Sequence, residues 1–165
     1  MADLRNDTGS MRFALALVAR DGSGRDPPAE EGGAAPAGRV LVTAGLDYLD
    51  ARDAEWWPMV RLPPLHFEIE VVERLLAEQS ELLRGASPGF AWRPGDGASV
   101  ALQIGSAPGG ALVEVGLDLG GFLADTARVA LRVEADLALF RFRALQQDLV
   151  RFAGALADEL EALRR

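Results

Sequence analysis

The chain has 165 residues, 49% hydrophobic and 25% charged, with a formal net charge of −8. That length and balance suit one folded domain over residues 1–165 with a buried core, rather than a disordered chain. The acidity opposes phosphate backbones at long range, which weighs against nucleic acid as a partner and favours a basic protein.

Cysteine is absent, which removes disulfides, thiolate metal sites and cysteine nucleophiles and fits a reducing cytoplasm. Every basic side chain is arginine except the single His66. The wealth of Ala, Gly, Leu and Arg is what GC-rich coding produces, although the planar guanidinium also suits interfaces. Residues 1–10 are polar, with Asp3 and Asp7, and lack the basic start and apolar core of a signal peptide. They are expected to be disordered. No apolar run approaches the ~20 residues that cross a membrane, so a membrane location is not expected.

The first predicted element is a strand over Met11 to Ala19, where Phe13, Leu15 and Leu17 alternate with Arg12, Ala14 and Ala16. Residues 20–38 are rich in Gly, Pro and acid without periodicity, and are expected to form a mobile loop. Arg39 to Asp50 reads as a strand with Gly45 as a candidate bulge, and Trp56 to Leu62 as another, ended by Pro63 and Pro64. From Phe67 the period changes. Ile69, Val72, Leu75, Leu76, Leu82 and Leu83 recur at helical spacing up to Gly85, a C-terminal glycine.

Phe90 to Pro94 is a short strand candidate. Ser99 to Ser106 and Ala111 to Leu119 alternate on either side of Ala107-Pro108-Gly109-Gly110, the signature of a hairpin. Thr126 to Leu137 alternates again and should extend the meander. A helix from about Arg143 to Arg165 carries Leu145, Leu149, Phe152, Leu156, Leu160 and Leu163 as one apolar stripe. The expected fold is α+β: a mainly antiparallel sheet of about six strands, with two amphipathic helices packed on one face.

Most catalytic constellations lack their parts. One histidine and no cysteine leave no His-rich or thiolate metal site. The phosphate-loop, dinucleotide and nucleophile-elbow motifs are absent. No catalytic residue, metal or cofactor is therefore expected. His66, just before the first helix, reads as a helix-start residue rather than a general base. Asp47, Asp50, Asp53 and Glu55 form the densest charge cluster near aromatics. They fit a solvated loop, a patch for a basic partner, or a divalent-cation site that lacks the usual calcium-loop spacing. Trp56 and Trp57 are adjacent in a strand and must point to opposite faces. One can sit in the core and the other needs a helix, a loop or a partner as cover, core packing on both sides being the commoner outcome. Trp92 raises the same question. Arg128, Arg132, Arg141 and Arg143 could form a cationic strip, or pair across strands with Glu114, Glu134 and Asp118.

The run YLDARDAEWWPMVRL, the helix IEVVERLLAEQSELLRG, the FAWRP strand, the alternating strands and the terminal helix together resemble the WapI-type immunity proteins of bacterial contact-dependent toxin systems. The likeness spans about Arg39 to Arg165. It implies a small cytoplasmic protein that binds and neutralises a toxin domain, and it carries over no catalytic residue. The expectation is an intracellular protein-binding module that occludes a protein partner, with a basic toxin domain as the candidate, through Asp47, Asp50, Asp53, Glu55 and Trp57. The rival readings are a homo-oligomeric structural protein and a carboxylate-site enzyme on Asp47, Asp50 or Asp118.

Overall fold

The computed structural model describes residues 1–20, 38–95, 98–118, 133–134 and 137–165. The chain is α+β, but its strands divide into two antiparallel five-stranded sheets instead of one. The first sheet contains β1 (Ala2–Arg5), β2 (Met11–Arg20), β3 (Arg39–Asp50), β4 (Glu55–Arg61) and β5 (Leu65–Glu68). The helix α1 (Ile69–Leu83) follows. The second sheet contains β6 (Gly89–Trp92), β7 (Val100–Ala107), β8 (Gly110–Asp118), β9 (Val133–Glu134) and β10 (Leu137–Leu145), and α2 (Gln146–Arg164) closes the chain. Each half is thus an antiparallel sheet whose last strand in sequence, β5 beside β3 or β10 beside β8, runs straight into a helix. Glu68 and Leu145 are the extended residues at those junctions, and neither supplies a side-chain cap.

Alternation dictates the buried faces. Phe13, Leu15 and Leu17 on β2 face the core with Val40, Val42, Ala44 and Leu46 on β3. Leu102, Ile104, Val113, Val115 and Phe142 do the same in the second sheet. These residues join Val72 and Leu75 of α1 and Leu149, Phe152 and Leu156 of α2 in one continuous cluster. A helix buries one stripe and a sheet one face, so this arrangement hides all four apolar surfaces together. Phe152 lies 6.3 Å from Phe13, ring centre to ring centre, which locks α2 onto the first sheet.

Polar ties reinforce the packing. The Trp92 indole donates to the Val71 carbonyl at 2.9 Å, and the Gln79 amide donates to the Leu149 carbonyl at 3.0 Å. Glu159 accepts the Leu17 amide at 2.8 Å, just where β2 has outrun its partner β1. An edge amide that finds no strand thereby finds a carboxylate.

Several sequence expectations need correction. Residues 1–10 are not wholly disordered: Ala2 and Leu4 are buried, and Ala2 to Arg5 pair with Arg12 to Leu15. Two alternating apolar positions are too few to register as a strand by pattern. After β8 the described strands are β9, a two-residue piece of the expected strand that pairs with β10, and β10, in ALFRFRAL, which takes the expected place beside β8 along its whole length. Residues 126–132 and 135–136 of the expected strand, and residues 21–37 of the expected loop, lie outside the described residues. The terminal helix starts at Gln146 rather than Arg143, because Arg143 to Leu145 pair with β8. Likewise α1 starts at Ile69 rather than Phe67, because Leu65 to Glu68 pair with β3 as β5. Gly85 takes φ +73 after α1, and Pro108-Gly109 forms the β7–β8 turn, with Gly109 at φ +77 as a type II turn requires.

Candidate functional site

The β3–β4 hairpin carries all five expected contact residues, and the sheet separates them onto two faces. β3 shares one edge between two strands: β4 pairs with Gly45 to Asp50, and β5 with Arg39 to Val42. Pro63 and Pro64, which cannot donate to the ladder, separate the two. In the β3–β4 register, Leu49 lies opposite Trp56, Tyr48 opposite Trp57, and Asp50 opposite Glu55. Residues directly opposite share a face. Trp56 therefore belongs to the face turned away from the core, and Trp57, Tyr48, Asp50 and Glu55 to the other.

The outward face holds an ion network. Asp47 is 0% exposed although it lies on the side away from the core. Arg12 donates to its Oδ2 at 2.8 Å. Arg61 sets its guanidinium against Oδ1 as a charge contact rather than an aligned hydrogen bond. Arg12 also reaches Asp3 at 3.8 Å, and Arg5 donates to Asp3 at 2.9 Å. The Trp56 ring completes the cluster, with the Arg12 guanidinium 4.4 Å and that of Arg5 5.6 Å from its centre. Stacking of this kind contributes about 0.5–1 kcal/mol at exposed sites.

Gly45 makes the Arg61 contact possible. A Cβ there would come within 2.5 Å of both Arg61 Nη1 and the Val60 carbonyl. Gly45 thus marks the path of Arg61 across β3, and the register shift expected at it falls between Leu46 and Asp47 instead. Asp47 is consequently corrected as a contact residue: it is 0% exposed and engaged by the guanidinium groups of Arg12 and Arg61, so its carboxylate is not presented to a partner.

The other face of the hairpin runs beyond the core and stays open. Tyr48 is 41% exposed, Trp57 47% and Met59 44%. Trp57, not Trp56, is the freely presented tryptophan. The four-residue turn beyond it folds on its own polar groups: Asp50 accepts the Arg52 amide at 2.9 Å and Asp53 the Glu55 amide at 3.2 Å. Ala54 takes φ +57 to close it. Asp53 and Glu55 are exposed and Asp50 half-buried. Tyr48 and Met59 were not singled out in the sequence. The signal for Tyr48 was present, because it alternates with Asp50 two residues on.

The remaining candidates sit elsewhere. Trp92 is buried, edge-on to Phe67 at 5.8 Å. Arg141 pairs with Glu114, its register partner on β8, as cross-strand pairing predicts. Arg143 donates instead to the Pro108 carbonyl at 2.6 Å. Arg128 and Arg132 lie outside the described residues. His66 is exposed beside a cavity of about 370 Å³ between β5 and the β6–β7 connection, whose walls include Arg39, Glu68 and Ser99. Among the described residues no group of three or more His, Asp or Glu side chains is placed to hold a metal ion. No described helix is long and apolar enough to cross a membrane. No family model, curated protein or solved structure matches the chain.

Proposed function

We propose that the chain is a protein-binding module that acts by occlusion in the cytoplasm, as an immunity protein does, with the β3–β4 hairpin as its docking element. One observation carries the reading. Tyr48 and Trp57 are large aromatic side chains left exposed opposite each other on a hairpin whose other face is tied down, and Met59 is exposed at the adjacent register shift. Aromatic residues so placed are common binding hot spots, and the acidic residues at their border complement a basic partner. Asp50, Asp53, Glu55 and Trp57 remain contact residues in this reading, joined by Tyr48 and Met59; Asp47 holds the hairpin from behind. The resemblance to WapI-type immunity proteins supplies the partner class, a toxin domain, and no catalytic step is assigned to the chain itself.

The test is a quantitative co-purification of the wild type beside Trp57→Ala/Tyr48→Ser, with Val18→Ser as an exposed-residue control. A stoichiometric partner retained by wild type and control but lost from the double variant supports docking here. Equal recovery by all three refutes it. For the immunity reading, the co-purified partner should be a toxin domain whose expression kills cells, and co-expression of the wild type should protect them while the double variant does not.

A further inference from the structure

We infer that this docking face recognises an arginine side chain of its protein partner, stacked on Trp57 and forked onto Asp50 and Glu55. The inference rests on the docking reading above and adds the chemistry of the contact. The hairpin face is a two-by-two array. Tyr48 opposes Trp57, and one step outward Asp50 opposes Glu55. Cross-strand neighbours stand about 5 Å apart, and successive positions on one face about 7 Å. A guanidinium laid on the Trp57 ring therefore reaches the carboxylates with its edge.

The carboxylate pair is costly as it stands. Like charges directly opposite each other in an antiparallel ladder are destabilising. Asp50 takes part in no ion pair among the described residues, and neither does Glu55; Arg52 in the turn pairs with neither. Elsewhere on the described sheets acids do meet cations, as in Asp47 with Arg12 and Glu114 with Arg141. No cation among the described residues complements the pair, and one supplied by a partner would. Between the two basic side chains, arginine fits better: its flat, weakly hydrated fork stacks on indole and binds carboxylates two bonds at a time, while the lysine ammonium is a hydrated point charge. A second copy of this chain would bring its own carboxylates against the face, and the net charge of −8 repels it further.

The test titrates the full chain with a capped glycine-spaced peptide bearing three arginines, beside its lysine and citrulline counterparts, and follows the Trp57 indole and hairpin amides by NMR. Saturable shifts confined to Tyr48, Trp57 and the turn are expected with arginine, with at least tenfold weaker binding of citrulline and several-fold weaker binding of lysine. Asp50→Asn/Glu55→Gln should weaken the arginine peptide at least fivefold and flatten its salt dependence. The same variant should melt about 1–3 °C higher, because the like-charge pair is gone. Binding of citrulline or lysine as tight as arginine overturns the inference, as does a peptide that leaves the Trp57 signal unmoved. If Trp57→Ala/Tyr48→Ser loses its co-purified partner while the peptides ignore the face, docking stands and the arginine inference falls.

Discussion

Asp47→Asn isolates what the buried carboxylate does for the hairpin. The replacement keeps shape and volume and removes one negative charge from a site that is 0% exposed. Arg12, whose side chain is 16% exposed, then keeps Asp3 at 3.8 Å, the face of Trp56 and a neutral amide oxygen in place of the carboxylate. Arg61 is 49% exposed and can turn to water. Removing one partner of a fully buried ion pair costs about 3–5 kcal/mol. Relief of Arg61 by solvent and of Arg12 by Asp3 lowers the expectation to about 2–3 kcal/mol. For a chain of this length, that lowers Tm by about 4–12 °C. Urea denaturation gives the free energy, and hydrogen exchange should show β4 amides losing protection ahead of those in β7 and β8. A cycle with Arg12→Met separates the pair from its surroundings, since removing both charges should cost less than removing Asp47 alone. A loss below about 0.5 kcal/mol, the range of ordinary surface changes, would refute the claim that Asp47 anchors the hairpin.

Three further outcomes follow from the packing. Gly45→Ala should destabilise by about 1–3 kcal/mol, because the new methyl meets backbone at Val60 as well as Arg61; thermal denaturation reads it. Phe152→Ala should cost about 3–5 kcal/mol, since its ring is fully buried against Phe13; a change under 1 kcal/mol would contradict the helix placement. Ala54→Gly should stabilise by up to about 1 kcal/mol, because a left-handed φ strains alanine and not glycine; a rise in the urea midpoint would confirm it.

The repeat of apolar positions was enough to place most elements. Period two gave β2, β3, β7 and β8, and period 3.6 gave α1 and α2, because burial of one face is recorded directly in residue order. Glycine and proline marked the β7–β8 turn and the end of α1 for a local steric reason. Only Arg143 to Leu145 misled, toward the terminal helix: Leu145 continues the stripe of Leu149 and Phe152, and pairing with β8 decides for the strand.

What residue order could not hold is which surfaces meet. The division into two sheets depends on the partners each strand finds across the chain, and alternation is blind to partners. The fate of Asp47 shows the same limit. By sequence it belongs with Asp50, Asp53 and Glu55, yet Arg12 and Arg61 reach it only once β2 and β4 flank β3. Adjacency in sequence established that Trp56 and Trp57 face opposite ways. Only the assembled sheet determined that arginines cover the first while the second projects past the core into solvent.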